Sequence, residues 1–229
     1  MTTKIDDFVQ ALQALPRLPG VFNPWRDIDP VHDLGPRSPA ARADHLHRYL
    51  TERAGRAKLM LIAEALGYQG GHFSGIAMTS ERILLGNLAK AGINAEDVIA
   101  GGGQRTSQVT KKTPALGANE PTATIVWGAL KQSGIDTRDV ALWNAFAPDP
   151  MKADGAWLTN RKPTKQELQI GLPLLEQFMD LFPSGRVVAI GKVSEEILGE
   201  LRVRVQAQVR HPANGGAKAF REGVSKLLG

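Results

Sequence analysis

Lys58-Leu59-Met60-Leu61-Ile62-Ala63-Glu64-Ala65-Leu66-Gly67-Tyr68-Gln69-Gly70-Gly71-His72-Phe73-Ser74-Gly75-Ile76-Ala77-Met78-Thr79-Ser80-Glu81 is the stretch that decides the fold. Lys58 to Ile62 is a short apolar run of the kind a buried strand uses, and Thr79-Ser80-Glu81 carries helix-start chemistry. The long loop between them holds glycines at 67, 70, 71 and 75. Glycine tolerates positive φ and lets backbone N–H groups approach a ligand, so the loop reads as a pocket floor. A glycine-rich crossover that only packs is an equal alternative at this point. His72, Phe73 and Met78 add a titratable group, an aromatic face and a soft apolar surface.

Upstream of this stretch, Ile5, Phe8, Val9, Leu12 and Leu15 fall at helical spacing, and Pro16 with Pro19-Gly20 ends the run. Val21 to Arg37, with Asn23-Pro24-Trp25 and several Asp and Pro residues, reads as an irregular cover. Ser38-Pro39 then starts a second helix reaching about Arg53. Residues 1–55 are thus expected to form a helical cover.

Downstream, Glu81 to Ala91 is expected to be helical, with Gly92 as its stop. Gly101-Gly102-Gly103 lacks the ending of a P-loop and the spacing of a dinucleotide fingerprint. A flexible surface loop is the stronger reading there, with DNA-backbone contact the lesser one. Asn119-Glu120-Pro121-Thr122 starts a helix through Gln132. Val140-Ala141-Leu142-Trp143 is a second buried strand that delivers Asn144 into a loop where Pro148 and Pro150 forbid regular continuation. Gln166 to Phe182 is helical with a kink at Pro173, Arg186 to Gly191 is a third strand, and a helix follows through Leu201. Val203 to Val209 alternates like a fourth strand, His211-Pro212-Ala213-Asn214-Gly215-Gly216 breaks it, and a last helix runs from Ala217 to Leu228.

Strands alternating with helices predict an α/β fold: a three-layer αβα sandwich with a mostly parallel, about four-stranded central sheet, in one domain over residues 1–229. Glu64 to Met78, Asn144 to Pro150 and His211 to Gly216 all follow strands. They would converge on one edge of the sheet, where open α/β sheets place ligand contacts.

The net charge of +5, from 28 basic and 23 acidic residues, makes a polyanion plausible as a partner but does not establish nucleic-acid binding. The absence of cysteine excludes disulfides, thiolate chemistry and cysteine-held zinc or iron–sulfur clusters. No apolar run approaches membrane-spanning length, and the N-terminus lacks a secretory pattern, so a soluble intracellular protein is expected.

The order of these motifs resembles that of the uracil-DNA glycosylase superfamily, over roughly Leu59 to Gly216. Ala63-Glu64-Ala65-Leu66-Gly67 is similar to that family's first motif, which commonly reads G-E-A-P-G, G-M-N-P-G or G-Q-D-P-Y. Ala65 stands where several branches carry a water-activating Asp or Asn. Gly70 to Glu81 is similar to the glycine loop, with Met78 in the place of a uracil-stacking Phe and Phe73 as the nearby aromatic. Trp143-Asn144-Ala145-Phe146-Ala147-Pro148 matches the motif whose Asn reads uracil. His211 to Gly216 matches the His-Pro loop that contacts the base and inserts into DNA. Branches with G-E-A-P-G often hold an iron–sulfur cluster through four cysteines, so this chain resembles a cluster-free branch.

The resemblance implies a monofunctional DNA repair glycosylase. It would flip uracil, or another deaminated base, out of DNA and hydrolyse the N-glycosidic bond, leaving an abasic site. It needs no metal or cofactor. His211 would stabilise the departing base, and Glu64 and His72 are the candidates for activating water, with a mechanism lacking any essential base also open. Ala65, Leu66, Gly67, Phe73, Met78 and Asn144 would form the base pocket, with Tyr68 a candidate gate against thymine. Pro212, Ala213, Asn214, Gly215 and Lys218 would meet DNA, and Lys111-Lys112 and Arg161-Lys162 are further candidates for phosphates. A monomer is expected, cytoplasmic and associated with the nucleoid if bacterial. The alternatives are a catalytically inactive nucleic-acid-binding homologue and a small-nucleoside hydrolase.

Overall fold

The computed structural model describes residues 2–228. Helix α1 (Thr2–Ala14) buries Ile5, Phe8, Val9 and Leu12 along one stripe, as their spacing predicts. A two-residue strand β1 (Val21–Phe22) follows, then α2 (Ser38–Thr51), which carries Pro39 in its first turn, where a missing N–H costs nothing. Strand β2 (Leu59–Ala65) leads through the one-turn helices α3 (Gly71–Ser74) and α4 (Glu81–Leu84) to α5 (Pro121–Gln132). Strand β3 (Val140–Phe146), a two-residue β4 (Asp149–Pro150), α6 (Lys165–Asp180), β5 (Arg186–Ile190), α7 (Lys192–Glu200), β6 (Ala207–Val209) and α8 (Ala217–Leu228) complete the order.

The central sheet is four-stranded and wholly parallel, in the order β3-β2-β5-β6. The chain moves from β2 to β3 in one direction, then crosses to β5 on the far side of β2 and on to β6. Right-handed crossovers in opposite directions put their helices on opposite faces. Accordingly α6 and α7, with α1 beside α6, cover one face, and α5 packs with α8 on the other. The result is the expected α/β three-layer sandwich, with an apolar core that runs from Ile5 to Val224.

The outer edge of β3 would expose an unpaired backbone ladder. Helix α2, through Tyr49, and the turn after it, through Arg53, close it with two side chains. The Leu142 N–H donates to the Tyr49 hydroxyl (2.7 Å), and the Arg53 Nε–H donates to the Val140 carbonyl (2.9 Å). Arg53 is fully buried, stacked 3.7 Å above the Tyr49 ring, and its remaining N–H groups reach the carbonyls of Tyr49, Val98 and Thr137.

Three local expectations are corrected. The helix expected from Glu81 to Ala91 stops at Leu84 because Gly86 takes a positive φ of 75°, and only a 3-10 turn, Ala89–Ala91, follows. The strand expected from Val203 pairs only over Ala207–Val209. Arg202 is left-handed (φ 60°) and the Val203 N–H returns to the Leu198 carbonyl, so these residues close α7 instead. Pro148 and Pro150 do not leave an irregular loop, since Asp149–Pro150 pairs antiparallel with Val21–Phe22 in a two-stranded ribbon too short to need the missing N–H.

Candidate active site

The polar loops converge at the carboxyl ends of the strands, around a cavity of 470 Å³. The sheet order explains the place: the chain leaves β2 toward β3 and returns across it to β5, which opens a crevice at the switch point. Glu64, Ala65, Gly67 and Tyr68 line it from the end of β2, Met78 from the loop beyond, and Asn144 from β3. Glu120 and Thr122 come from the start of α5, Asn160, Arg161 and Lys162 from the loop before α6, and His211 from beyond β6.

Asn144 is placed by its neighbours. Its partner across the β2–β3 ladder is Ala63, one residue before Glu64. Trp143 is stacked on Phe178 (ring centroids 4.8 Å apart, 8° between planes) and also packs on Phe8 and Trp25. Successive strand residues face opposite ways, so fixing Trp143 in the α1–α6 layer directs Asn144 away from it. Asn144 is 2% exposed, and among the described residues its amide has no hydrogen-bond partner. Both its carbonyl and its NH2 are left for a ligand.

His211 presents one nitrogen. Its Nδ1 accepts from the Ala213 N–H (3.1 Å), which places the ring proton on Nε2. Burial, and secondarily the charge of Arg210, depress its pKa below the usual histidine value, so the ring is a neutral Nε2–H donor at physiological pH. The turn that shapes this loop depends on Gly216, where a Cβ would overlap the His211 carbonyl. Asn214 and Gly215 are exposed with φ of 53° and 75°, Ala213 is half-buried, and Lys218 is exposed. Pro212 is buried, which corrects the expectation that it meets DNA directly.

Two carboxyl groups line the cavity with an oxygen that is buried and has no hydrogen-bond partner among the described residues: Glu64 through Oε1 and Glu120 through Oε2. Burial raises the pKa of Glu64, with Lys162 pulling the other way. Burial alone pushes Glu120 up to about 7. Arg161 is held by Glu167 through two short ion-pair bonds (2.6 and 2.7 Å) and is not free to take a phosphate. Lys162 is exposed.

His72, Phe73 and Leu66 lie outside the cavity, which corrects their expected roles there. His72 is fully buried between carboxylates, with Nδ1 2.9 Å from Asp149 Oδ2 and Nε2 3.2 Å from Asp29 Oδ2, and Phe22 stacks on its ring at 4.1 Å. Burial opposes its charge, but the two carboxylates outweigh that and raise its pKa. Both ring nitrogens are occupied, so it has none with which to activate water. Asp29 is lowered to about 2: burial works against this, and bonds from His72, the Val31 N–H and His32 overcome it. Phe73 is 1% exposed and packs against His72, and Leu66 fills the space over Gly71. Met78 (φ 49°) is the apolar wall that remains.

The glycines also serve packing more than ligand approach. Of those at 67, 70, 71 and 75, only Gly75 has positive φ, and a Cβ there would meet the Arg42 carbonyl at 2.5 Å. The Gly70 and Gly75 N–H groups are spent on the Gly67 and Gly71 carbonyls. Gly102 and Gly103 likewise pack on Leu84, Ala95 and His45, so the second glycine run is no phosphate cradle.

The sequence does not single out Glu120, Thr122 or Asn160 as site residues, yet all three line the cavity. Glu120 before Pro121 has the ordinary look of a helix start, yet its side chain makes no capping bond and turns to the cavity instead.

No protein-family model matches the chain, and no curated protein matches it. Among solved structures, it is similar to the crystal structure of wild-type SMUG2 of Pedobacter heparinus, with a TM-score of 0.61 and 12% identity over 98% of this chain and 95% of that one. The two chains share a fold.

Proposed function

We propose that the cavity receives a uracil base flipped out of DNA and that the chain hydrolyses its bond to deoxyribose. The observation that carries this reading is the pairing of an unpartnered amide, Asn144, with a neutral Nε2–H donor, His211, on the walls of one cavity at the strand ends. An amide donates to uracil O4 and accepts from N3–H, and cytosine presents the reverse pattern at both positions. Breaking an N-glycosidic bond builds cationic character on the sugar and negative charge on the base. A donor fixed beside that charge stabilises the transition state more than the ground state. The shared fold supports the reading, because SMUG2 is a uracil-DNA glycosylase superfamily member. So does the order of the three strand-end motifs.

Half-buried Ala213 and exposed Asn214, Gly215 and Lys218 beside His211 are proposed to meet the DNA strand, so binding should weaken as salt rises. The test is incubation of purified protein with single- and double-stranded oligonucleotides containing uracil or another deaminated base, followed by alkaline cleavage. Strand breaks at uracil are expected, and none at any deaminated base would refute the proposal. Asn144→Ala should slow uracil release about 10- to 100-fold, the equivalent of about 1–3 kcal/mol for buried groups left without partners, and should narrow the preference for uracil over cytosine.

A further inference from the structure

We infer that Glu120 is the general base of this reaction, taking the proton from the water that attacks the sugar. The inference rests on the proposed base excision and deepens it. Glu120 stands immediately before α5 with extended backbone (φ −114°, ψ 112°), and its side chain bonds none of the helix's free N–H groups. It lines the cavity instead, where its Oε2 is buried without a partner among the described residues. The glycine loop is shaped around this carboxyl: a Cβ on Gly70 would overlap Oε2, and one on Gly67 would sit 3.3 Å from Oε1. Oε2 is thus closed off against Gly70, and the oxygen left for a cavity water is Oε1, which no protein group bonds among the described residues.

The other charged and titratable groups on the cavity wall are Glu64, Tyr68, Arg161, Lys162 and His211. Arg161 is committed to Glu167, and His211 offers a proton where a base must accept one. Glu64 is the rival, but Lys162 favours its anion and so weakens it as a base. Among the described residues Glu120 has no cation to hold it ionised, and burial brings it to about 7, where a general base works best.

As the glycosidic bond breaks, its electron pair passes to the base nitrogen, and the resulting anion is held by His211 and Asn144. The water oxygen bonds to the sugar carbon while one water proton moves to the Glu120 carboxylate. That proton then goes to solvent, and the released base takes one up. One water is consumed and nothing is oxidised or reduced.

The test is single-turnover uracil release from a uracil-containing oligonucleotide by wild type, Glu120→Gln and Glu64→Gln, from about pH 5 to about pH 9. Wild type should rise through a limb centred near 7. Glu120→Gln should lose that limb and run about 10²–10⁴-fold slower, whereas Glu64→Gln should keep it. Carboxyl carbon resonances of glutamate-labelled protein give a readout independent of turnover: one signal titrating near 7 in wild type should vanish in Glu120→Gln. Wild-type speed and limb in Glu120→Gln, or a limb lost in Glu64→Gln instead, would overturn the assignment and leave uracil excision standing. No release by wild type at any pH would overturn uracil excision itself, and Glu120's role with it.

Discussion

His211→Ala should lower the single-turnover rate of uracil release about 10²–10³-fold while changing DNA affinity only a few-fold. The expectation follows from one hydrogen bond. Because the Ala213 N–H occupies Nδ1, the ring can offer the base only Nε2–H, and it offers it without carrying charge. Such a donor contributes little to binding a neutral uracil and much to binding the anion that forms as the bond breaks. The deletion should therefore fall on the chemical step. His211→Asn, which keeps a neutral donor at a shorter reach, should recover part of the rate. The measurement is base release with enzyme in excess, beside a fluorescence titration with labelled oligonucleotide; an unchanged rate, or an equal loss in both quantities, would remove His211 from the chemistry.

His72→Ala should destabilise the folded chain by about 3–5 kcal/mol, read from urea unfolding. The substitution leaves Asp29 and Asp149, both fully buried, facing a gap where a shared cation stood. The pH dependence has a definite sign. His72 has a raised pKa, so its contribution is complete below the ordinary histidine value of 6.5 and fades as pH climbs through the raised one. Asp29 is depressed to about 2, so its contribution is complete above the ordinary 3.8 and fades as pH falls toward 2. Burial raises Asp149 despite His72, and it works against the cluster as pH rises. The gap between wild type and His72→Ala should thus be widest between pH 3.8 and 6.5. A variant that stays stable but loses base release would restore a catalytic role for His72 and contradict its placement.

The two residues show how far the sequence could be read. The strand runs at Leu59 and Val140 and the break at His211-Pro212 were legible because apolar periodicity and proline geometry act locally. From them came the three-layer sheet and the meeting of Glu64, Asn144 and His211. His72 is ambiguous in the sequence because its loop looks the same whether it faces a ligand or a carboxylate. The partners that decide between these, Asp29 and Asp149, are distant in sequence. Glu120 is inconspicuous for the converse reason, since an acid before a helix-starting proline needs no tertiary explanation until its missing cap is seen. Glycine carried a similar ambiguity: Gly70 and Gly71 are required by neighbouring side chains, not by backbone conformation.

The closure of β3 by Tyr49 and Arg53 has a consequence for fidelity of assembly. A one-residue slip of this strand against β2 would turn every side chain to the opposite face, burying Asn144 among Phe8 and Phe178 and thrusting Trp143 into the cavity. Hydrogen bonds to β2 alone would tolerate such a slip at the cost of an end pair. The outer contacts do not, because Tyr49 meets an N–H at Leu142 and Arg53 a carbonyl at Val140, and a displacement by one would present each with the wrong neighbour. Helix α2 and the turn after it thereby act as an alignment key for Asn144.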